Sequence, residues 1–569
     1  MLRLFQLGVI SVFLCGLSFC QTGTEPSTLP SAVDQAAAAS SVTVNPLGRA
    51  RALFRTRDFE GAIAQYRIFL QTHPNSPDAY AGITRAYLKE KEIDSAAETV
   101  KKGLALSDAP RMHVALGEVL FRQGKIGEAE QEWVKVINSG YPDAHAYLDL
   151  ARVRRAIAKY KTAKSLVDKA HELDPGDPDV EEAWVNTLGR AERIKYLENS
   201  LSDPNNLDPD ERQNATTSLV YLRERAKQPR HGCRLASTVT RTEASLVRLL
   251  SDPTHLRGYG LTVSVNGHKS NLLLDTGASG IVVKRSIAEK AGVGKIAETK
   301  SWGVGDKGPK NSYVGIADSI RIGELEFQNC PIDVIEGRSV AEEDGLVGAD
   351  VFEDFLVDID FPDEKLKLSE LPKRPGETAR KPELNSENDD DPPDSELPQG
   401  DGTGKPASDK KEGAATNASQ LQDRYVALEM EGYTHIFRFG HLLLVPTMIG
   451  DVPQKLFLLD TGALTNTISP AAAREVTKVH NDDTIVKGIS GRVNKVYEAN
   501  KAVLQFGKLR QENQDITAFD TTSLSEDAGT EISGFLGFAM LRFLDIKIDY
   551  RDALIDFSYD AKHWHMPME

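Results

Sequence analysis

Two stretches of this 569-residue chain repeat each other, and that duplication limits what it can fold into more than any other feature. Leu272-Leu273-Leu274-Asp275-Thr276-Gly277-Ala278-Ser279 is matched by Phe457-Leu458-Leu459-Asp460-Thr461-Gly462-Ala463-Leu464. A lone Asp-Thr-Gly is a common accident, but here the surroundings keep register as well. Gly303 follows Asp275 by 28 residues and Gly488 follows Asp460 by 28, while Gly323 and Gly507 follow by 48 and 47. Gly345-Leu346-Val347-Gly348 begins 70 residues after the first aspartate, and Gly534-Phe535-Leu536-Gly537 begins 74 after the second. Asp360-Phe361 and Asp549-Tyr550 each lie 12 residues past the last glycine. Landmarks in common order define two copies of one unit.

Both copies read as all-β. Val263 and Val265 lead into Asn266-Gly267, the strongest short hairpin signal, and an apolar strand then runs into the Asp-Thr-Gly turn. Ser469-Pro470 supplies an N-cap and first helical residue for a short helix through residue 476. Residues 356–361 and 544–550 alternate or run apolar, as strands of a compact β fold do.

On these residues each copy resembles a retropepsin-like aspartic protease unit, over roughly 256–371 and 424–560: an apolar strand into Asp-Thr-Gly-Ala, a glycine-bearing flap, and a late apolar-apolar-Gly strand. The resemblance implies that each unit holds half an active site, with Asp275 and Asp460 as the catalytic pair. It implies that Thr276 and Thr461 hydrogen-bond across the pair and that Gly277 and Gly462 let the backbone approach the carboxylates. Gly303, Gly305, Gly488 and Gly491 are assigned to the flap tips. Pairing of the two units within one chain is favoured over a homodimer. A polypeptide substrate is implied, with neither cofactor nor metal. Ala278 and Ala463 stand where pepsin-like enzymes carry a hydroxyl residue, so the dyad should be less acidic and work at mildly acidic or neutral pH. Leu464 replaces a polar residue such as Ser279 and leaves the second half less well tuned.

Ahead of the duplication lies a second repeat. Phe59-Glu60-Gly61-Ala62, Ile93-Asp94-Ser95-Ala96, Ile126-Gly127-Glu128-Ala129 and Tyr160-Lys161-Thr162-Ala163 place alanines 34, 33 and 34 residues apart. Tyr66, Val100, Trp133 and Val167 each follow by four residues, on the same helical face. A small residue suits close helix approach and a large one fills the groove beside it. This period resembles the tetratricopeptide repeat, over 45–200. Such arrays carry no chemistry and present a concave surface for protein partners.

Composition closes off several other readings. A formal net charge of −16 argues against nucleic-acid binding through bulk positive charge. No segment past the N-terminus is long and apolar enough to span a membrane. Four cysteines with no Cys-x-x-Cys exclude a thiolate zinc cluster, and Cys233 and Cys330 are either a disulfide or two buried thiols. Arg3 and the apolar run 4–19 read as a signal peptide cleaved after Cys20, with lipidation of Cys20 as the alternative. The Gly303–Gly308 spacing matches a dinucleotide motif literally, but Pro309 and the β context assign it to a flap. His563 and His565 read as part of a solvated tail.

The expected order is therefore a signal peptide (1–20), a flexible spacer (21–44), an α-helical repeat solenoid (45–200), a helical cap and connector (201–255) and a first retropepsin-like unit (256–371). An acidic Pro-rich disordered linker (372–423), a second retropepsin-like unit (424–560) and a tail (561–569) follow. The expected function is that of an exported, extracytoplasmic aspartic endopeptidase whose array recruits proteins. The competing expectation is a non-catalytic envelope scaffold using a degenerate pair.

Overall fold

The computed structural model describes residues 45–203, 207, 209–226, 233–301, 303–305, 310–335, 344–375, 377, 422–488 and 490–560. The signal segment with Cys20, the spacer, most of the linker, residues 306–309 and the tail with His563 and His565 lie outside the described residues.

Four helix pairs open the described chain: Pro46–Arg55 with Phe59–Thr72, Pro77–Lys89 with Ile93–Leu106, Pro110–Arg122 with Ile126–Asn138, and Ala144–Ala156 with Tyr160–Leu173. Ala62, Ala96, Ala129 and Ala163 are buried, as are Tyr66, Val100, Trp133 and Val167. Trp133 shows why small and large residues alternate. A Cβ on Gly117 of the neighbouring helix would meet its Nε1 at 2.4 Å, so only a bare backbone lets the indole in. The turn inside each pair repeats with the same period, because Arg57, Lys91, Gly124 and Ala158 all take positive φ. Each is followed by a backbone bond that closes the preceding helix, such as Asp58 N to Leu53 O (2.9 Å) and Lys125 N to Leu120 O (2.9 Å). Helices Pro178–Val185 and Arg190–Ser202 follow at the end of the stretch expected to be the array, and Pro209–Ala226 lies in the stretch expected to cap it.

The β region is two units over a shared floor. In the first, His268–Asp275 lies between His255–Val265 (antiparallel) and Gly345–Gly348 (parallel). In the second, Lys455–Asp460 lies likewise between Leu442–Ile449 and Gly534–Gly537. Asn266 and Gly267 both have positive φ, the two-residue hairpin expected there. The short helix Pro470–Arg474 is capped by Ser469 Oγ, which accepts from Ala472 N (3.2 Å). β structure begins earlier than residue 256: Arg234–Leu235, Thr242–Ser245 and Val247–Asp252 are already strands within the stretch expected to be a connector. Their alternate positions are exposed and carry Glu243 and Arg248, which hides them from an apolar-pattern reading.

The floor is a six-stranded sheet taking three strands from each unit, in the order Thr434–His435, Leu554–Ser558, Asp545–Asp549, Phe355–Asp360, Lys365–Glu370, Thr242–Ser245. At its seam Val357 lies opposite Ile548 and Ile359 opposite Ile546, all fully buried. Arg438 of the second unit crosses to Glu353 of the first (Nη2 to Oε2, 2.5 Å) and donates Nη1 to Tyr550 O (2.7 Å). Two half-sites are thus fastened together within one chain.

The helical array is packed onto the second unit. Val114, Phe121, Ile126 and Trp133 form one apolar cluster with Leu444, Leu456, Leu458, Phe519, Ile532 and Phe535. Thr530 Oγ1 donates to Phe121 O (2.6 Å), and Lys91 pairs with Glu526 (2.5 Å). The first unit has a covalent tie instead: Cys233 and Cys330 form a disulfide that closes 97 residues. No helix among the described residues is long and apolar enough to cross a membrane.

Candidate active site

Each aspartate stands at the last position of its strand, opposite the last glycine of a parallel neighbour: Asp275 opposite Gly348 and Asp460 opposite Gly537. Both turns then bend towards each other, and the two threonines lock them. Thr276 Oγ1 donates to Leu459 O and Thr461 Oγ1 donates to Leu274 O, each at 2.8 Å. The same hydroxyls accept in return, Thr461 Oγ1 from Thr276 N (3.0 Å) and Thr276 Oγ1 from Thr461 N (3.1 Å). Both threonines are buried, so every one of these groups has a partner where water does not reach.

The glycines after them clear space for the opposite carboxyl. A Cβ on Gly277 would lie 2.9 Å from Asp460 Cγ, and one on Gly462 would lie 2.3 Å from Asp275 Oδ2. Asp275 Oδ1 accepts from Gly277 N (2.9 Å) and Asp460 Oδ1 from Ala463 N (2.8 Å). The two carboxyls hydrogen-bond to each other. Burial first, and the neighbouring Asp275 charge second, hold the Asp460 carboxyl well above the usual carboxylate range. Burial also raises Asp275, against the hydrogen bonds it accepts and the charge of Arg257. Two carboxyls in this arrangement share one proton.

Of the glycines assigned to flap tips, Gly303 and Gly305 lie in the connection between Lys295–Ser301 and Lys310–Ile322, while Gly488 and Gly491 pair in the hairpin Lys487–Gly488/Gly491–Arg492. The tips meet: Ser490 N donates to Val304 O (3.1 Å). A Cβ on Gly305 would come within 2.5 Å of the Ser490 carbonyl carbon, and one on Gly488 within 2.2 Å of Val304 O. Gly305 and Gly491 also have φ of 131° and 102°, which favours glycine.

Three residues near the turns escape a reading of motifs. Asp350 accepts from Ser279 Oγ and Gly280 N, both at 2.9 Å, and so braces the first turn. The second unit has Leu464 and Ala539 at the matching places, and Leu464 is 53% exposed. There Asn466 does the bracing, its Oδ1 accepting from Gly537 N (2.8 Å). Arg257 reaches across from the first unit and donates Nη2 to Gly462 O (3.0 Å). Asp350 could have been found as the acid two residues past the last glycine of its unit; Arg257 and Asn466 carry no comparable signal.

Glu118, His145 and Asp149 in the array bring three possible metal-ligand atoms within 4.8 Å of one another. Arg85 Nε already donates to both Glu118 oxygens (2.7 and 3.0 Å), and Arg152 Nη1 to Asp149 (2.8 Å). Guanidinium charge therefore occupies the place a cation would take, and the group is an ion-pair network.

Residues 261–351 match the model of the aspartyl protease family, and residues 47–109 and 85–145 match that of the tetratricopeptide repeat. The chain is 30% identical over 125 residues to the UBA domain-containing protein Mud1 of Schizosaccharomyces pombe, a stretch covering 20% of this chain and 36% of that protein. It is 31% identical over 108 residues to DNA damage-inducible protein 1 of Chaetomium globosum, covering 19% and 23%. The chain thus spans about a third and a quarter of the length of these curated relatives. Among solved structures, a thermophilic tetratricopeptide repeat protein of Thermus thermophilus aligns at 18% identity over 31% of this chain and 98% of its own, with a TM-score of 0.26. MamA aligns at 19% over 32% and 94%, with a TM-score of 0.19. The chain carries an aspartyl-protease-like domain behind tetratricopeptide repeats.

Proposed function

We propose that this chain is an exported aspartic endopeptidase that hydrolyses peptide bonds with one dyad, Asp275 and Asp460, built from its two units. The observation that carries this reading is the reciprocal Thr276–Thr461 lock holding two mutually hydrogen-bonded carboxyls.

The chemistry follows from one shared proton. The ionised carboxylate takes a proton from a water as the water oxygen bonds to the scissile carbonyl carbon. The protonated carboxyl gives its proton to the carbonyl oxygen, and a gem-diol forms. The carboxyl that took the water's proton then passes it to the amide nitrogen as the C–N bond breaks, while a diol hydroxyl returns a proton to the other carboxylate. Acid and amine leave, and the dyad is restored. Burial of both carboxyls makes the dyad act at low local dielectric. Because burial raises both carboxyls, the working range should be mildly acidic to neutral.

The signal-peptide pattern and the Cys233–Cys330 disulfide support export, since disulfides persist in oxidising compartments. The array is the place for a protein partner or for substrate recruitment. A scaffold reading draws on the exposed Leu464, but both Asp-Thr-Gly turns keep the threonine lock and a backbone N–H bond to the aspartate. The test is cleavage of a diverse peptide library by wild type, Asp275→Asn and Asp460→Asn between about pH 3 and pH 8, spanning the carboxylate and raised-dyad ranges. Loss of cleavage in either variant supports the proposal; a wild type that cuts nothing at any pH hands the lead to the scaffold.

A further inference from the structure

In the sheet of the first unit, alternate residues divide between two faces. Leu272, Leu274, Ile281, Val283, Val334 and Val347 belong to the shared core. Leu273, Leu346 and Val282 form a separate cluster, and Ala278 of the Asp-Thr-Gly-Ala turn packs against it. Register adds a fourth residue to that second set: Leu273 lies opposite Leu346, Leu346 opposite Val282, and Val282 opposite Asp333. Residues in one row of a sheet share a face, so Asp333 stands on the side that carries Leu273 and, two residues on, Asp275. Asp333 is only 9% exposed, and its Oδ1 is buried with no hydrogen-bond partner among the described residues. Burial alone pushes the carboxyl up to about 7, with no neighbouring charge to answer it. A buried acid kept for structure would have partners.

The second unit has the same row with different chemistry. Thr467 lies opposite Phe535 on one side and Thr517 on the other, so Thr517 takes the place of Asp333. Thr467 Oγ1 is again buried without a partner among the described residues. Leu458 and Phe535 of this row belong to a cluster against which Ala463 packs, together with Val304, between flap glycines Gly303 and Gly305, and Val486, beside the hairpin of Gly488. The row therefore lies on the face that turn and flap residues pack against. The helical array shares this face of the second unit, and no described array residue joins the matching cluster of the first. Asp333 is three strands from Asp275 and two residues back along them, roughly 16 Å between Cα atoms at about 4.8 Å per strand and 3.3 Å per residue. An extended peptide also advances about 3.3 Å per residue, so a long side chain about two or three residues from the bond being cut spans that distance.

We propose that Asp333 is a specificity-determining residue, the acceptor for a lysine or arginine side chain of the polypeptide substrate about two or three residues to one side of the scissile bond. The inference rests on the endopeptidase reading for its substrate. A cationic side chain gives the buried carboxylate the charge-assisted hydrogen bonds it lacks. The threonine row of the other unit offers hydroxyls and no charge, so the basic preference falls on one side of the cut only.

The test maps cut sites in a diverse peptide library by mass spectrometry for wild type, Asp333→Asn and Asp333→Leu. Wild type should enrich lysine and arginine at one position, on one side of the cut, on the order of tenfold over leucine. Asp333→Asn should lose that enrichment, and Asp333→Leu should turn it towards apolar residues at the same position. For a matched pair of peptides with lysine or leucine there, kcat/KM should fall for the lysine peptide alone in Asp333→Asn. A basic preference absent from wild type, equal on both sides of the cut, or unaltered in the variants would overturn the inference. Should one variant fail to fold, the other and the wild-type profile decide. If wild type cleaves nothing, the endopeptidase reading falls and binding of the matched peptides to the intact chain decides instead. Tighter binding of the lysine peptide by wild type, lost in Asp333→Asn, keeps Asp333 as a peptide-reading residue; equal binding overturns it.

Discussion

The two β units share a backbone plan and differ in almost everything that supports it. Around the first turn, Ser279 and Gly280 are braced by Asp350, a disulfide ties Cys233 to Cys330, and Arg257 reaches out across the seam. Around the second, Asn466 replaces the acid, Leu464 is exposed, and the apolar wall of Leu444, Leu458 and Phe535 is covered by the helical array. What remains common is the part that needs two copies: the aspartates, the threonine lock, the clearing glycines and the floor. Duplication leaves the rest free to diverge, and here one copy gained a covalent tie while the other gained a helical neighbour.

That contrast can be broken at several points. The disulfide closes 97 residues, so Cys330→Ala should lower stability by about 4.5 kcal/mol in the chain-entropy picture, read by denaturant titration. The loss should fall on the first unit, leaving the second protected in hydrogen exchange. Arg438→Met strands a buried Glu353 at the joint between units and should cost about 4 kcal/mol, with earlier loss of cleavage than of helical signal on heating. Phe121→Ala removes a ring packed against Trp133 and Phe439 and should cost about 3 kcal/mol, releasing the array from the second unit as a separate transition in calorimetry.

The smallest effect depends on pH. Asp358 at the floor's seam is pushed up to about 7, by burial first and by its hydrogen bond to Asp545 second. Its folded-state proton is held more tightly than the unfolded chain holds it. That contribution is fully present below the ordinary value of 3.8 and is lost as pH rises through about 7. Asp358→Asn should therefore raise the Tm by roughly 2 °C at about pH 8 and leave it unchanged near pH 4. An equal shift at both pH values would show that the proton is not involved.

How far the molecule can be read from its sequence follows from how local each feature is. The array shows through Ala62, Ala96, Ala129 and Ala163 because each is demanded by its own helix pair. The turns at Arg57, Lys91 and Ala158 stay hidden because only Gly124 advertises its positive φ by residue type. The duplicated Asp-Thr-Gly places the dyad because identical chemistry had to appear twice. Arg257 to Gly462, Arg438 to Glu353 and Phe121 to Phe439 join residues far apart in the chain, and no spacing within one segment signals them. The strand Thr242–Ser245 is equally obscure, since its partner Lys365–Glu370 lies more than a hundred residues on.

The most direct test of a single dyad built from both units is complementation. Asp275→Asn and Asp460→Asn chains are purified separately, then mixed and assayed against a peptide that wild type cleaves. One dyad within each chain predicts no cleavage by either variant and none after mixing. Cleavage that appears only on mixing would show that Asp275 of one chain pairs with Asp460 of another, and cleavage that either variant retains alone at a substantial fraction of wild type would show that each unit pairs with its twin in another chain.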